Sequence, residues 1–202
     1  MMLNDQLGDC TCAAVGHSIQ LLTTSSTGVE FTPPDSAILE LYKKVSGYNP
    51  NDPSTDCGAV EIDVLNEWRQ SGLCGHTISA YAAVTPSNIN HVKLAIQLFG
   101  FLYVGLALPK NAEDQDGTWT VVAGPDAVAG SLGGHAVIAV DYDADGVTFI
   151  TWGQLKKATW AWWNAYCDEA YAVISPDDIK PNSTLSFSGV DVITLQKDLN
   201  LI

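Results

Sequence analysis

The sequence predicts an α+β fold in which helices occupy the first half of the chain and antiparallel strands the second. Up to Gly100, apolar residues recur at helical spacing in segments that start at capping residues and stop at glycines. Beyond that point, short β-branched or aromatic runs are bounded by Gly, Pro and Asp, which is typical of strands. The chain has 202 residues, of which 47% are hydrophobic, so it can bury a sizeable core.

The first half of the chain contains four predicted helices. Each shows apolar residues three or four positions apart, a start signal such as Asp, Ser or Pro, and either a glycine or a change in pattern at its end. In order along the chain, they are residues 11–22 capped by Asp9, residues 36–45 capped by Asp35, the segment from Gly58 to Gly72, and the segment from the capping Ser87 to Gly100.

The second half contains four predicted strands. The turn sequence DADG separates the second strand from the third and therefore predicts an antiparallel hairpin over 135–152. The strands are FLYVGLAL at 101–108, HAVIAVDYD at 135–143, VTFITWG at 147–153 and AYAVIS at 170–175.

The charge and hydropathy of the chain exclude two classes of partner. The formal net charge is −14 and the nine Lys and Arg residues are scattered, whereas phosphate binding needs clustered basic residues, so no nucleic-acid partner is expected. No apolar run is long enough to span a membrane, and the N-terminal residues lack a secretory signal pattern. We therefore expect no membrane partner and a location in the cytoplasm or in a virus particle.

Two of the five cysteines, Cys10 and Cys12, lie at the start of the first predicted helix. Cys12 continues the helical spacing of the apolar residues that follow it, which predicts a packed and inert thiol. Cys10 comes two positions after Gly8, where the first helical N–H groups are exposed beside its sulfur. Because a helix N-terminus lowers the pKa of a thiol, Cys10 is the better candidate nucleophile.

Of the four histidines, His135 is the best candidate for a general base. His17 lies two turns beyond Cys10 on the same helix, which places it roughly 10 Å away and too far to take the thiol proton. His76 lies in a loop and His91 near the start of a helix, where solvent-facing histidines are common. His135 begins an apolar strand after two glycines, which leaves little side-chain bulk beside it and holds it rigidly.

Three sequence blocks follow one another in a fixed order, namely NDQLGDC at 4–10, GGHAVIAVDYD at 133–143 and FITWG at 149–153. This ordered set resembles the papain-like cysteine peptidases, and more closely their bacterial and phage-type relatives, which share NDxxGDC, GGHAV and TWG blocks. The segment TDCGAVEIDVLNEWRQSGLCG at 55–75 is also similar to the glycine-then-helix segment of bacterial members. The resemblance covers residues 4–174.

The position of the nucleophile depends on the register of this resemblance. Family members carry a Gln six residues before the nucleophile and a Gly two residues before it. Counted from Cys10, these positions hold Asn4 and Gly8; counted from Cys12, they hold Gln6 and Cys10. The NDxxGDC opening favours Cys10.

The resemblance also implies the domain organisation. A papain-like domain is expected over 1–175, with a helical lobe at about 1–100 that carries the nucleophile helix. This lobe would pack against a β-rich, antiparallel, barrel-like lobe at about 101–175. Residues 176–202 would form a C-terminal extension, a strand and a short helix packed on the domain.

What the resemblance implies for function is a thiol-dependent hydrolase whose cleft, between the two lobes, binds an extended peptide or protein substrate. Cys10 would attack a carbonyl carbon, and His135 would take the thiol proton and later deliver it to the leaving amine. Asn4 and the backbone N–H of Cys10 would stabilise the oxyanion. No cofactor is implied.

The block that orients the histidine departs from the family pattern. Family members use an Asn in an NSWG-like block, but here the corresponding stretch is ITWG, and Ile150 cannot accept a hydrogen bond from an imidazole. Thr151 could do so if the strand is shifted by one residue. Gln154 could do so from the hairpin register, since Tyr142 opposite Val147 would bring His135 near it.

Two classes of function remain open from the sequence. The first is a cysteine peptidase or amidase-like enzyme. The second is a papain-like fold with little or no turnover that serves in assembly or binding, for example in a phage particle. The missing Asn motivates the second. Asp9 is another departure, because a carboxylate next to the nucleophile opposes thiolate formation unless it caps the helix. The aromatic segment TWAWWNAYCDEAYAV at 159–173 either covers a core or forms an interface.

The spacing of the cysteines does not suggest a metal site. The Cys10-x-Cys12 spacing differs from that of zinc modules, and only Cys74 and His76 lie together elsewhere, so no metal is expected. Cys57 and Cys74 flank the third predicted helix. They could form a disulfide in an oxidising compartment, or be small buried residues in a reducing one.

Overall fold

The structure is a computed structural model that describes residues 1–199. One strand precedes the fourth helix and one helix lies between the last two strands, so the two halves are less strictly segregated than predicted. The helices are α1 (Cys10–Thr27), α2 (Asp35–Ser46), α3 (Glu61–Gln70), α4 (Ile89–Phe99), α5 (Trp160–Tyr166) and α6 (Val192–Leu199). The strands are β1 (Ala80–Ala83), β2 (Leu102–Leu108), β3 (Gly133–Tyr142), β4 (Gly146–Thr151), β5 (Gln154–Thr159) and β6 (Cys167–Ile174).

The strands form one antiparallel sheet in the order β1-β6-β2-β3-β4-β5. The predicted hairpin of β3 and β4 is confirmed, with Tyr142 opposite Val147. Asp143 stabilises its turn, because Oδ1 of this residue accepts hydrogen bonds from the backbone N–H groups of Asp145 and Gly146. This hairpin carries the candidate histidine near one end.

Strand β1 comes from the helical half of the sequence but pairs with β6 at the edge of the sheet. It was not predicted, since its sequence AYAA contains small residues with little preference for strands. Tyr81 lies opposite Val173, and its ring meets the edge of the Tyr171 ring at a centroid distance of 5.9 Å. Backbone hydrogen bonds thereby join the helical half directly to the sheet.

Side chains of β2 alternate between two hydrophobic cores. Tyr103 belongs to the core that contains buried residues of α1, α2 and α3, whereas its neighbours Leu102 and Val104 belong to the core with α4 and α5. Trp162 and Trp163 are fully buried in this second core. These two tryptophans of the aromatic segment therefore cover a core, which was one of the two interpretations.

A β-bulge shifts the register of β3 against β4 between Ala139 and Asp141. The predicted proximity of His135 to Gln154 assumed an unbroken register through this point. The shift moves the position opposite His135 from residue 154 to residue 153. Gln154 instead pairs with Thr151 across the turn that leads into β5. Gln154 is exposed, so the bulge removes it from the histidine and brings the end of β4 closer.

Helix α1 continues well past the predicted end at Leu22 and stops at Gly28, which adopts the left-handed conformation with φ of 75°. Hydroxyl side chains dominate this extra stretch, and such residues usually disfavour helix interiors. Here they donate hydrogen bonds to the carbonyl oxygens of the preceding turn, which satisfies them within the helix. The donors are Thr23, Thr24, Ser26 and Thr27.

Two other helix starts differ from the prediction by one residue. The cap of α4 is Asn88, whose side-chain oxygen accepts from the backbone N–H of His91 at 3.2 Å, and not Ser87. Asp35 is the first residue of α2 and not its cap. An acidic side chain in the first turn still stabilises the helix through its dipole.

The C-terminal segment returns to the helical half. On α6, the Gln196 side chain donates to Oγ of Ser79 at 2.6 Å, and the Phe187 ring occupies the space where a side chain at Gly100 would lie. No helix in the described part of the chain is long and apolar enough to cross a lipid bilayer. Residues 200–202 of the predicted extension lie outside the described residues, and the division at residue 175 stays a prediction.

Candidate active site

Cys10 is the first residue of α1, and the sheet fixes its position. Tyr103 of β2 is fully buried, and its hydroxyl donates to the backbone carbonyl of Thr11 at 2.8 Å. This hydrogen bond ties the first turn of α1 to the sheet. Cys10 is partly exposed at this point, whereas Cys12 is fully buried among apolar residues, as its spacing predicted.

His135 lies in β3 with 9% of its surface exposed. Its Nε2 atom is 2.8 Å from Oγ1 of Thr151, which is itself buried at the end of β4. The imidazole stacks on the Trp152 indole, with the ring centroids 4.9 Å apart and the planes 24° apart. Thr151 and Trp152 therefore hold one edge and one face of the ring, and Nδ1 is left for a partner on the other edge.

A cavity of about 860 Å³ brings the three predicted site residues together. Cys10 and His135 line it, and so does Asn4. The same three residues also line a much smaller space, together with Met1 and His17. The structure thus places residues more than a hundred positions apart at one opening, between the start of α1 and the start of β3.

The other histidines and cysteines lie elsewhere. Nδ1 of His76 lies 2.9 Å from Oδ2 of Asp177. His91 is exposed on α4. Cys57 and Cys74 are free and exposed, so the expectation of small buried residues is wrong for both. Their loops bring them to the surface on either side of α3.

Burial dominates the electrostatics of the candidate pair. It raises the pKa of the Cys10 thiol, an effect that the nearby backbone N–H groups of Ala136 and Thr11 oppose and the Glu61 charge reinforces. Burial also lowers the pKa of His135 to about 4. No hydrogen bond joins the Cys10 sulfur to the imidazole among residues 1–199. At neutral pH the resting site therefore contains a thiol and a neutral imidazole.

Asn4 lies in a tight N-terminal segment that packs against α1. Its Nδ2 atom donates to the carbonyl of Leu7 at 3.4 Å. Met2 is buried beneath this segment, and a side chain at Gly16 would collide with its sulfur. Since Asn is one methylene shorter than Gln, its amide reaches the cleft only if the segment approaches the helix closely, and Gly16 permits that approach.

A hydrogen-bond network that the sequence did not reveal fixes the residues before Cys10. The backbone N–H of Gly8 donates to both carboxylate oxygens of Asp56, at 3.0 and 3.2 Å. The Tyr42 hydroxyl donates to the same carboxylate at 2.5 Å and accepts from the backbone N–H of Gly58 at 3.0 Å. The segment TDCG, which is part of the resemblance, therefore supports the loop that leads into the candidate nucleophile.

Asp9 occupies the N-cap position of α1, but its side chain makes no capping hydrogen bond, contrary to the prediction. It is fully buried, and neither carboxylate oxygen has a hydrogen-bond partner within residues 1–199. Burial raises the pKa of Asp9 to about 7, with a smaller contribution from the Asp56 charge and an opposing one from the Asn4 side chain. Because Asp9 is protonated over part of the neutral range, it opposes thiolate formation less than an ordinary carboxylate would.

Two solved structures share this architecture. Xylellain, a cysteine protease from Xylella fastidiosa, matches with a TM-score of 0.66 and 16% identity, over 83% of this chain and 80% of that one. The Carica candamarcensis cysteine protease CMS1MS2, in complex with E-64, matches with a TM-score of 0.60 and 14% identity, over 83% of this chain and 89% of that one. The sequence matches no protein-family model and no curated protein. The chain thus has the α+β fold of the papain-like cysteine proteases.

Proposed function

We propose that the protein is a cysteine peptidase in which Cys10 is the nucleophile and His135 the general base and acid. The observation that carries this proposal is the shared cavity, lined by Cys10 at the start of a helix and by His135 with its Nε2 atom held by Thr151. The large cleft suits a peptide or protein substrate.

The acylation step uses the Cys10 sulfur, the imidazole of His135 and the start of α1. With Thr151 accepting from Nε2–H, Nδ1 of His135 is unprotonated and takes the proton of the Cys10 thiol as the sulfur attacks the substrate carbonyl carbon. The carbonyl oxygen becomes an oxyanion, which accepts hydrogen bonds from the backbone N–H of Cys10 and from Nδ2 of Asn4. His135 then donates its proton to the leaving amine, and a thioester to Cys10 remains.

Deacylation uses the same groups in the reverse sense. His135 removes a proton from a water molecule, whose oxygen attacks the thioester carbonyl carbon. The acid product leaves, and the proton returns to the Cys10 sulfur. Because the imidazole is neutral in the resting site, it is ready to accept a proton in both steps.

Alkylation by iodoacetamide, followed by peptide mapping, tests this proposal. Cys57 and Cys74 are exposed and serve as internal controls. We expect Cys10 to react faster than both, and His135→Ala to slow only Cys10, because burial disfavours the thiolate unless the imidazole takes its proton. Equal and slow reaction of Cys10 in both proteins would contradict the proposal.

A second candidate function is a binding or structural role with little turnover, for example as a component of a phage particle. Burial favours this second role in one respect, because it raises the pKa of Cys10 and lowers that of His135, and both shifts favour the neutral form of the group. It requires that Cys10 show no His135-dependent reactivity and that no peptide be cleaved.

A further inference from the structure

The same cavity continues beyond Cys10 into a second region, which we call the acidic end. The first turn of α3 forms one wall and the first residues of β6 form the other. No Lys or Arg within the described residues lines the cavity. The carboxylates that line it are Asp56, Glu61, Asp63, Asp168 and Glu169.

Glu61 is the most unusual of these carboxylates. Its Oε2 atom is shielded from solvent and, among residues 1–199, has no hydrogen-bond partner. The carboxyl group lies against β2 at Gly105, where any larger side chain would collide with Oε1. Gly105 lies beside the bulge in the pairing of β2 with β6 and opposite Glu169. The absence of a side chain at Gly105 therefore creates the place that the Glu61 carboxyl occupies.

The surroundings of Glu61 disfavour its negative charge. The pKa of Glu61 is raised to about 8, mainly by burial and to a smaller extent by the charges of Glu169 and Asp168. Asp56, in contrast, has hydrogen-bond donors in the Gly8 backbone and the Tyr42 hydroxyl. The acidic end thus contains a carboxyl group that lacks a donor and has carboxylate neighbours.

A cation in the cavity would satisfy each of these features at once. An ammonium or guanidinium group supplies only hydrogen-bond donors, so it can pair with the Glu61 carboxyl group, which lines the cavity. Its positive charge would also lower the pKa of Glu61 and screen it from Asp168 and Glu169. A carboxylate side chain from a substrate would instead meet three acidic groups without a counter-charge.

We propose that the acidic end is a subsite for a cationic side chain, Arg or Lys, of a substrate bound next to Cys10, and that Glu61 is its specificity-determining residue. This inference rests on the proposed peptidase function, since Cys10 and His135 line the same cavity. Asp168 and Glu169 add to the field that attracts the cation, and Gly105 sets the depth at which the Glu61 carboxyl lies.

Matched peptides with Arg or citrulline test the subsite. Citrulline has nearly the shape of Arg but no charge. Fluorogenic peptides carry one or the other at each of the three residues before the scissile bond, and kcat/KM is measured for the protein, Glu61→Gln and the control Glu113→Gln. Glu113 is an exposed carboxylate that does not line the cavity. Thermal unfolding verifies that both variants fold.

At one substrate position we expect a preference for Arg over citrulline of about tenfold or more, the size of one charge-assisted hydrogen bond. Glu61→Gln should reduce this ratio to near one by lowering the Arg rate alone, and Glu113→Gln should leave it unchanged. Equal rates for both peptides at all three positions, or a ratio that Glu61→Gln does not change, overturn the subsite while cleavage itself upholds the peptidase.

A binding measurement keeps the inference testable if no peptide is cleaved. Fluorescein-labelled forms of the same peptides are titrated into Cys10→Ser, with and without Glu61→Gln, and fluorescence polarisation gives Kd. Tighter binding of the Arg peptide that depends on Glu61 supports the subsite even when the peptidase proposal fails. Equal Kd values for the Arg and citrulline peptides, or no binding of either, overturn it.

Discussion

The two ends of the cleft differ in how their charged and polar groups are balanced. At the Cys10 end, His135 has a hydrogen-bond partner in Thr151 and an aromatic face in Trp152, and burial keeps both the thiol and the imidazole uncharged. At the acidic end, Glu61 lacks a donor and has carboxylate neighbours. A reacting pair benefits from fixed geometry and few charges, whereas recognition of a cation benefits from a charge that only the ligand can balance.

The largest expected effect is at the Cys10 end. Cys10→Ala should lower the rate of peptide hydrolysis on the order of 10⁵-fold, because the nucleophile is removed. Cys12→Ala is the matched control on the same helix. Cys12 is fully buried, so this change should lower the unfolding temperature and leave kcat nearly intact. Hydrolysis that survives Cys10→Ala would show that the chemistry of this end has been assigned to the wrong thiol.

The second effect concerns stability and comes from Asp9. Its pKa is about 7 in the folded protein against an ordinary value of 3.8, so between these values the folded state binds more protons than the unfolded state. The free energy of unfolding should therefore fall as pH rises from 4 to 7, by as much as about 4 kcal/mol from this group.

Asp9→Asn should remove this contribution. Because Asp178 and Glu61 also have raised pKa values and act in the same direction in both proteins, the difference between protein and variant isolates Asp9. Urea unfolding at pH 5 and pH 8 measures it. A stability difference between the two proteins that is the same at both pH values would show that the Asp9 carboxyl has a partner in solution.

The third effect tests whether Thr151 positions the histidine. Thr151→Val keeps the shape but removes the hydroxyl that binds Nε2 of His135. We expect kcat to fall about ten- to a hundredfold, which is less than the typical whole contribution of acid–base catalysis because the imidazole itself remains. Thr151→Ser should restore most of the rate. KM should change little, since Thr151 lies behind the imidazole and not in the large cavity. Equal loss in both variants would point to a packing effect.

The smallest expected effect sharpens the comparison at the acidic end. The preference for Arg over citrulline should increase several-fold as pH rises through about 8, because Glu61 loses its proton there and gains charge. The titratable groups around Glu61 are Glu169 and Asp168 on β6, Cys10 on α1 and Tyr103 on β2. In Glu61→Gln the preference should not change with pH across this range; a rise that persists in this variant would assign the titration to one of the neighbours.

The sequence predicted much of the fold because the strands that matter carry strong local signals. The DADG turn and the apolar runs on either side of it led to the correct hairpin and to the pairing of Tyr142 with Val147. The partner of His135 was left open between Thr151 and Gln154, because a β-bulge leaves no recognisable pattern in a single sequence. The structure decides between them through the shift near Ala139.

The acidic end was not predicted for a different reason. Its residues come from α3 and β6, which are separated by about a hundred positions, and each carboxylate taken alone resembles an ordinary surface residue. Their proximity depends on Gly105, whose importance is visible only once the Glu61 carboxyl lies on it. Likewise, the cap position of Asp9 was predicted, but its failure to cap depends on burial that local sequence does not determine.

Strand β1 has a consequence for how the molecule behaves under stress. Because β1 leaves the helical half to pair with β6, and because the Tyr103 hydroxyl binds the first turn of α1, the two halves cannot separate without breaking the β1–β6 hydrogen bonds and this side-chain hydrogen bond. These hydrogen bonds therefore connect the two walls of the cleft into one frame. We expect such a frame to unfold in a single cooperative transition. We also expect substrates to enter a groove that is already open, without a hinge motion.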